Sequence, residues 1–388
     1  MSGKRKIGVV TVGRSDFGIY RPVISRLASD NRLDLQIFVG GMHLSSKHGE
    51  TWRDIEREGF TVTAKADGGD LGGSASDISS AMGLGLASFG RIYAEHQPDI
   101  LLVLGDRYEM FSAAAAAVPH RIPIAHIHGG EITEGAMDEV FRHSITKMSH
   151  LHFVSTEEHG WRITQMGEEP WRVTVSGAPG LDTIRNFRPL DRSALAERIG
   201  LDWDAPPLLV TYHPATLASM SPEEQIQEVL DGLSDWPGPV VFTGVNADTG
   251  CDALRRAIDR FVAGKLSARC VENLGSQAYF SLMGCAAAMV GNSSSGLIEA
   301  PSFGLPVVNI GPRQQGRMRA PNVIDAPCEA SAIAAAIQHA TSGDFRSSLR
   351  GLVNPYGDGF ASEKIVSCLA ACDMDSLLVK KFCDLPSR

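Results

Sequence analysis

Residues 100–131 read ILLVLGDRYEMFSAAAAAVPHRIPIAHIHGGE, and this stretch carries the pattern that decides the fold. Two short apolar runs, Ile100 to Leu104 and Ile122 to His126, flank an alanine-rich segment of helix length, and polar residues follow each run. Parallel strands that are buried on both faces read as continuous apolar runs and are joined by covering helices. The stretch therefore predicts a strand, a helix and a second strand of a parallel α/β sheet.

The same alternation extends along the whole chain and occurs in two series. The other strands predicted in the first series are Ile7 to Val12, Leu33 to Val39 and Leu151 to Val154. The second series predicts strands at Leu208 to Tyr212, Val240 to Thr243, Ala288 to Val290 and Val307 to Ile310. Residues 177–207 lie between the two series, mix proline, glycine and charge, and are a candidate linker. We expect two α/β lobes that face each other across a cleft.

Length, charge and cysteine content exclude several classes of protein. A chain of 388 residues exceeds what one ordinary hydrophobic core serves, and its net charge of −9 opposes general attraction to nucleic acid or anionic membranes. The longest apolar runs are far shorter than the roughly 20 residues that span a bilayer. Seven dispersed cysteines without a CxxC pair fit neither a disulfide framework nor a zinc site. We expect a cytoplasmic protein with no nucleic-acid or membrane partner.

The predicted strands are followed by unusual polar loops. These loops read VGRSDFG, LGDRYE and HIHGGE in the first half, and TYHPAT, GVNADTG, VGNSSSG and NIGPRQQGR in the second half. Ligands of parallel α/β sheets bind outside the carboxyl ends of the strands, where helix N-termini present unpaired N–H groups. Neither a GxGxxG fingerprint after a strand nor a Walker A loop occurs, which argues against hydride transfer and ATP chemistry.

The loop VGNSSSGLIE, residues 290–299, has the composition of a phosphate cradle. Backbone N–H groups and the hydroxyls of Ser293 and Ser294 at a helix start would bind a diphosphate. Glu299, one turn later, could accept hydrogen bonds from the two hydroxyls of a ribose. The competing interpretations are an ordinary serine-rich helix cap and a solvated glutamate.

Three arginines follow strand-end glycines and are candidates for anion binding. They are Arg14, Arg107 and Arg313. The guanidinium fork matches phosphate oxygens, and arginines from three strand ends suggest convergence on one anion. Any one of them alone fits an exposed salt bridge better than a binding site, whereas the three together favour a binding site.

Three carboxylates are candidates for acid–base chemistry. Asp106 and Glu131 end neighbouring predicted strands, and Asp138 opens a helix that carries Arg142 one turn later. Carboxylates whose environments push their pKa values apart can act as acid and base. Asp138 could instead be a helix cap paired with Arg142. His213 ends a strand, where it could bind or protonate a leaving phosphate, or simply be packed.

The pair His126 and His128 invites a metal interpretation, because both lie on one predicted strand face with Glu131 nearby. One HxH pair without a third ligand is a weak metal signal, so we favour a pair that shapes the pocket and expect no metal. No serine or cysteine has the GxSxG elbow of an acyl-transfer nucleophile.

Taken together, the strings GRSDFG, GMH, LGDRYE, HIHGGE, DEVFRHSITKMSHLHFVSTEE, GVNADTG, GNSSSGLIE and GPRQQGR resemble the hydrolysing UDP-N-acetylglucosamine 2-epimerases of bacterial sialic-acid synthesis. They run collinearly from about Arg14 to Arg317. The resemblance implies two Rossmann-like lobes of the GT-B type with the active site in the interdomain cleft. It implies a sugar-binding, catalytic lobe over residues 1–180, rejoined by a C-terminal helix at about 360–388, and a UDP-binding lobe over 181–359.

The resemblance also assigns roles to individual positions. The residues implied to bind UDP are Arg14, Arg107, Asn246, Ser293, Ser294, Glu299 and Arg313, with His213 at the diphosphate. The implied catalytic carboxylates are Asp106, Glu131 and Asp138, with Arg142 and His143 on the helix beside them and His43 near the sugar. Neither a cofactor nor a metal is implied, and a homodimer or homotetramer is expected.

The implied reaction converts UDP-N-acetylglucosamine and water into N-acetylmannosamine and UDP, through a 2-acetamidoglucal. The stretch HGGEITEGAMDE is closer to relatives that act on UDP-2,4-diacetamido-2,4,6-trideoxyglucose in legionaminic acid synthesis, which leaves two candidate sugars. The same fold would also suit a GT-B sugar transferase, a non-hydrolysing epimerase or a catalytically silent nucleotide-sugar sensor.

Overall fold

A computed structural model describes residues 3–69, 74–133, 136–213, 220–244 and 251–384. The chain divides into two compact units. Residues 1–185 and 356–388 form the first unit, and residues 186–355 form the second. Each unit contains one sheet, and every strand pairing in both sheets is parallel.

The sheet of the first unit has the strand order β3-β2-β1-β4-β5-β6-β7. Its strands are β1 (Arg5–Thr11), β2 (Leu33–Gly40), β3 (Val62–Ala66), β4 (Ile100–Leu104), β5 (Ile124–Ile127), β6 (Leu151–Val154) and β7 (Val173–Val175). All five side chains of β4 are buried, because helices cover both faces of the sheet. The sheet order reverses between β1 and β4, which places the ligand-binding edge of such folds at the carboxyl ends of these strands.

Helices alternate with the strands of the first unit. They are α1 (Arg14–Ser29), α2 (Trp52–Arg57), α3 (Ala75–His96), α4 (Tyr108–Ala117), α5 (Met137–Met148), α6 (Glu157–Gln165) and α7 (Gly180–Asn186), the last of which reaches the boundary. Short 3-10 turns cover Gly41–His43, Ser46–His48 and Pro170–Arg172. A capping box between Ser74 and Asp77 starts α3 by satisfying its free N–H groups.

The sheet of the second unit has the strand order β10-β9-β8-β11-β12-β13. Its strands are β8 (Leu208–Thr211), β9 (Val240–Thr243), β10 (Ala268–Val271), β11 (Ala288–Gly291), β12 (Val307–Ile310) and β13 (Val323–Ala326). Its helices are α8 (Arg192–Ile199), α9 (Pro222–Leu233), α10 (Cys251–Gly264), α11 (Gly275–Cys285), α12 (Ser295–Ile298), α13 (Ala330–Ala340) and α14 (Gly343–Ser348). Further 3-10 turns lie at Ala300–Phe303 and Pro312–Gln314.

The last part of the chain belongs to the first unit. Helix α15 (Ala361–Ala371) places Ile365, Val366 and Leu369 in the same hydrophobic core as β1 and α1, and α16 (Met374–Leu377) follows it. The carboxylate of Asp182 accepts hydrogen bonds from the backbone N–H groups of Ala361 at 2.9 Å and Ser362 at 2.7 Å. A side chain from α7 thus supplies the N-terminal cap of α15, which lacks a cap of its own.

The α/β class and the two parallel sheets predicted from the sequence are confirmed. All nine predicted strands are present, with ends that differ by at most a few residues. The candidate linker contains two helices, α7 and α8. Among the helices of the described ranges, none combines the length and the apolar character that crossing a bilayer requires.

Candidate active site

Arg142 organises the carboxyl-end edge of the first sheet. Its side chain is only 4% exposed and its guanidinium contacts the carboxylate of Asp106, which follows β4. The same group donates to the backbone oxygen of His128 at 2.7 Å and to the hydroxyl of Thr133 at 3.0 Å. Because the guanidinium is a planar fork with five donors, one side chain fixes the loops after β4 and β5 together.

Glu131 lies in the same cluster and is buried. Its Oε1 is 2.6 Å from His128 Nδ1 and accepts a hydrogen bond from the hydroxyl of Ser155 at 3.1 Å, and its Oε2 is 3.9 Å from Arg142 Nη1. Burial alone would raise the pKa of Glu131, but the charges of His128 and Arg142 and the hydrogen bond from His128 outweigh it and hold the pKa well below its usual range. Glu131 is therefore an ionised carboxylate at neutral pH.

The loop HGGE reaches this arrangement through unusual backbone angles. His128 has φ of +64°, in the left-handed region that costs a residue with a Cβ about 1 kcal/mol or more. At Gly130, with φ of +73°, a Cβ would lie 2.3 Å from the backbone oxygen of His159, so only glycine fits there. The strained turn redirects the His128 ring from the strand face toward Glu131.

Asp138 approaches the cluster from the first turn of α5. It is partly buried, and burial, followed by the negative charge of Asp106, raises the pKa of Asp138. The structure thus brings the three predicted carboxylates and Arg142 together. The environments of Glu131 and Asp138 shift their pKa values in opposite directions, as acid–base pairs require.

Arg107 and Arg14 lie beside the cluster at the ends of β4 and β1. Arg107 Nε is 3.6 Å from the buried carboxylate of Asp16, and Arg107 Nη2 is 3.5 Å from the hydroxyl of Ser15. Arg14 is exposed at the first position of α1. The pairing of Arg107 with Asp16 is therefore loose, and Arg14 begins the helix that follows β1. Arg313 belongs to the second unit, so the convergence of the three arginines stays a prediction.

Two histidines of the predicted site are held by different partners. His43 is fully buried, with Nε2 2.9 Å from the hydroxyl of Thr11 and Nδ1 2.8 Å from the hydroxyl of Thr51. Burial lowers the pKa of His43 to about 4, so the ring is neutral and supports the turn after β2. His143 is 3.0 Å from Glu139, one turn earlier on α5. Neither ring contacts the carboxylate cluster.

In the second unit, Asn292 joins the ends of two strands. Its amide accepts from the backbone N–H of His213 and donates to the His213 backbone oxygen, both at 2.8 Å. Its own backbone oxygen accepts from Gln314 at 2.8 Å and from Arg313 at 3.3 Å. At Gly291 a Cβ would lie 1.9 Å from the backbone oxygen of Thr211, so glycine allows β8 and β11 to close. His213 and Arg313 are therefore both attached to the serine-rich loop.

The serine-rich loop starts a shorter helix than its sequence pattern suggests. Helix α12 spans only four residues, Ser295–Ile298, with Ser294 as its N-cap, and a 3-10 turn follows. The hydroxyl of Ser293 accepts from the backbone N–H of Ser295 at 3.3 Å, and Glu299 is the C-terminal cap. The structure therefore places Ser293, Ser294 and Glu299 around a single helical turn. Asn246 lies outside the described residues.

The two histidines of the HxH pair point to different partners. His126 is fully buried, with Nε2 2.8 Å from the backbone oxygen of Gly105 and Nδ1 3.2 Å from the hydroxyl of Thr146, whereas His128 contacts Glu131. Within the described ranges, no three histidine, cysteine or acidic side chains are grouped so that they could hold a metal ion.

Some residues of the cluster were not predicted from the sequence. Ser155 and Thr133 complete the contacts of Glu131 and Arg142, and His128 was considered only as part of a pair. Ser155 directly follows β6, so the rule that ligands bind at strand ends would have found it. Thr133 had no comparable signal.

This fold and this cluster define an α/β protein of two units, in which the pKa values of two neighbouring carboxylates are shifted in opposite directions. Comparison with known proteins identifies its family. The family model of UDP-N-acetylglucosamine 2-epimerase matches residues 25–370. The chain belongs to the UDP-N-acetylglucosamine 2-epimerase family and is a hydrolysing UDP-sugar 2-epimerase. The predicted family resemblance is thereby confirmed, and the transferase interpretation is not retained.

Two similar proteins and one solved structure illustrate the relationship. The GDP/UDP-N,N'-diacetylbacillosamine 2-epimerase (hydrolyzing) of Campylobacter jejuni is 37% identical, over 98% of this chain and 100% of its own. The polysialic acid biosynthesis protein P7 of Escherichia coli is 37% identical, over 91% of this chain and 90% of its own. The UDP-GlcNAc 2-epimerase of Neisseria meningitidis, solved with UDP-GlcNAc bound, superposes with a TM-score of 0.80 at 19% identity, over 94% of this chain and 99% of its own. Structural likeness of this kind confirms the predicted GT-B-type fold.

Proposed function

We propose that this enzyme uses Glu131 and Asp138 as its proton acceptor and proton donor on a UDP-linked 2-acetamido hexose. One observation carries the assignment: the pKa of Glu131 is lowered and that of Asp138 is raised within a single cluster held by Arg142. Epimerisation at C2 through an elimination needs one group that takes a proton from C2 and one that returns a proton to the other face.

In the first half of the reaction, ionised Glu131 removes the proton from C2. The electron pair of the C2–H bond forms the C1=C2 double bond, and the C1–O bond breaks, so that its electron pair leaves on the oxygen of UDP. A C2 proton is weakly acidic, and its removal becomes feasible because UDP is a good leaving group when cations neutralise its charge. Arg107 and Arg14 are the cations of the first unit that we assign to this role.

In the second half, water adds to C1 of the 2-acetamidoglucal while Asp138 delivers a proton to C2 on the opposite face. One proton of the water stays on the new C1 hydroxyl and the other passes to Asp138. Glu131 releases the proton that it took from C2 to solvent, so both carboxyl groups return to their starting states. Asp106, in contact with Arg142, fixes the guanidinium, and its negative charge adds to burial in raising the pKa of Asp138. The products are UDP and the free 2-epimer of the sugar.

UDP is assigned to the second unit. The proposed contacts are Ser293 and Ser294 on the diphosphate, Glu299 on the ribose, and His213 and Arg313 beside the phosphates. The contacts of Asn292 with His213 and Arg313 support this assignment, because they attach both residues to one loop. Asn246 and His143 are proposed as substrate contacts from the family resemblance alone. His43 is proposed, on the same basis, to support the sugar site.

Two sugars are the candidate substrates. UDP-N-acetylglucosamine is the substrate implied by the family, and a UDP-2,4-diacetamido-2,4,6-trideoxy sugar is favoured by the name of the C. jejuni relative. That name also includes GDP, so we include the GDP-linked sugar in the assay.

The proposed reaction is tested by incubating the protein with each nucleotide sugar in heavy water. We expect release of the free nucleotide without an acceptor, and one deuterium at C2 of the released sugar by NMR. A sugar released with its original C2 hydrogen would exclude the elimination, and a product that keeps its nucleotide would exclude hydrolysis. The predicted homodimer or homotetramer and the cytoplasmic location are separate proposals, which light scattering and cell fractionation address.

A further inference from the structure

A cavity of 110 Å³ opens within the first unit, beside the ends of β2 and β3. Small or apolar residues form most of its wall: Met42, Ala66, Ala81, Gly85 and Phe89. Tyr108 and Glu109, from the first turn of α4, supply its polar side. The volume is several times the roughly 10–15 Å³ that one water needs, so the cavity has room for a small organic group.

Glu109 is the unusual member of this wall. Its Oε2 is buried and accepts no hydrogen bond from any of the described residues, and burial raises its pKa. Its side chain is hydrogen-bonded to Tyr108. A buried carboxylate oxygen without a partner is costly, so a ligand that donates a hydrogen bond there would be strongly favoured.

The backbone at Gly41 is adapted to this carboxylate. Gly41 has φ of +54°, and a Cβ at this position would lie 3.1 Å from Oε1 and from Cγ of Glu109. Glycine therefore allows Glu109 to lie directly against the turn after β2. This contact places the carboxylate of Glu109 between the apolar wall of the cavity and the strand ends.

The cavity and the carboxylate cluster both lie at the carboxyl ends of strands in the first sheet. Tyr108 and Glu109 follow Asp106 and Arg107 in sequence, and the charges of Arg107 and Asp16 reach Glu109. Strands β2 and β4 are separated by β1, and neighbouring strands are about 4.8 Å apart, so the carboxyl ends of β2 and β4 are about 10 Å apart. A pyranose ring with one acetamido substituent spans a distance of this order.

We propose that this cavity receives the acetamido group on C4 of the substrate hexose, which makes the 2,4-diacetamido sugar the preferred substrate. The methyl group packs against Phe89, Ala66 and Ala81, and the N–H donates to Glu109. A 4-hydroxyl, as in UDP-N-acetylglucosamine, would leave the apolar part of the cavity unfilled. The inference rests on the proposed 2-epimerase function and specifies its substrate.

The test measures selectivity, defined as the ratio of kcat/KM for the UDP-2,4-diacetamido-2,4,6-trideoxy sugar to kcat/KM for UDP-N-acetylglucosamine. We expect this ratio to exceed one in the wild type and to fall at least about 30-fold in Ala81→Leu, because the added side chain fills the cavity. Ala81→Val should shift the ratio in the same direction by a smaller amount. It also serves as the second variant if Ala81→Leu fails to fold, which thermal unfolding checks.

Ala87→Leu is the matched control, since Ala87 is exposed on the same helix, and its ratio should stay within about twofold of the wild type. A wild-type ratio at or below one would overturn the inference while leaving the 2-epimerase function intact. An equal loss for both sugars in Ala81→Leu would overturn it too, because the cavity would then hold a group that both share. Turnover of neither sugar would overturn the proposed function and this inference with it.

Discussion

At the scale of single residues, the site depends on one buried arginine. Arg142 contacts Asp106 and Thr133 and lies 3.9 Å from Glu131, so its charge acts on carboxylates that follow different strands. The identities of these carboxylates were predictable from the sequence, because each one follows a strand end or opens a helix. The opposed pKa shifts were not predictable, because they depend on burial and on the left-handed turn at His128.

Glu131→Gln should lower turnover by at least about 100-fold while leaving the affinity for UDP unchanged. The glutamine has the same shape and can still accept from Ser155, but it cannot take a proton from C2. Single-turnover kinetics and UDP titration calorimetry measure the two effects separately.

Glu157→Gln is the control for this variant, because Glu157 is exposed at the start of α6 and should tolerate the change. Near-normal turnover in Glu131→Gln would remove Glu131 from its proposed role. Loss of UDP affinity together with turnover would indicate a general structural defect instead.

At the scale of secondary-structure elements, the sequence pattern found every inner strand and missed the outer ones. The strands not predicted are β3, β7, β10 and β13, and these four are the edges of the two sheets. Their burial is partial, with polar or charged residues such as Lys65 and Asp325 inside them. An edge strand is not enclosed on both sides, so it lacks the continuous apolar run that identifies a buried parallel strand.

The buried carboxylate of Glu168 connects the region of the edge strand β7 to the C-terminal segment of the chain. Glu168, with no exposed side-chain surface, is 2.5 Å from the Lys147 ammonium, 2.7 Å from that of Lys380 and 3.2 Å from His152. Arg172 donates to the backbone oxygens of Leu377 at 3.1 Å and of Val379 at 2.9 Å. The segment after α16 is thereby attached to the loops around β6 and β7.

Glu168→Gln should lower the free energy of unfolding by about 3 kcal/mol at neutral pH, since it removes one member of a buried ion cluster. Burial would raise the pKa of Glu168, but hydrogen bonds from His152, Lys147 and Lys380 outweigh it and lower the pKa from 4.5 to about 2. A group whose pKa is lower in the folded state stabilises that state at pH values above its unfolded-state pKa of about 4.5. This stabilisation is lost as the pH falls from about 4.5 toward 2.

Denaturant titrations of both proteins across this pH range measure the effect. The difference between wild type and Glu168→Gln should shrink steadily as the pH falls below 4.5. Glu158→Gln is the control, because Glu158 forms an exposed pair with Arg162 and should cost less than about 0.5 kcal/mol. A difference that does not change with pH would show that Glu168 acts through packing rather than charge.

At the scale of the whole molecule, the second unit is formed by one continuous segment of the chain and the first unit by two segments. The second unit is continuous, with its own sheet and a core that includes Val210, Phe242 and Val308. The first unit is completed by residues from the far end of the chain, because α15 fills the core beside α1 and takes its cap from Asp182. A contact over this sequence separation cannot be read from local patterns, and the sequence indicated it only through the family resemblance.

A fragment of residues 186–355 should therefore fold alone with a cooperative thermal transition, whereas residues 1–185 should not fold without residues 356–388. The isolated second unit carries the proposed UDP contacts but lacks Arg14 and Arg107. Each lost charged hydrogen bond is worth about 1.5–3 kcal/mol, so the fragment should bind UDP at least about tenfold more weakly than the full chain. Calorimetry on the fragment and the full chain measures this difference. Equal affinity would show that the arginines of the first unit do not contact UDP. A folded fragment that does not bind UDP would contradict the assignment of the nucleotide to the second unit.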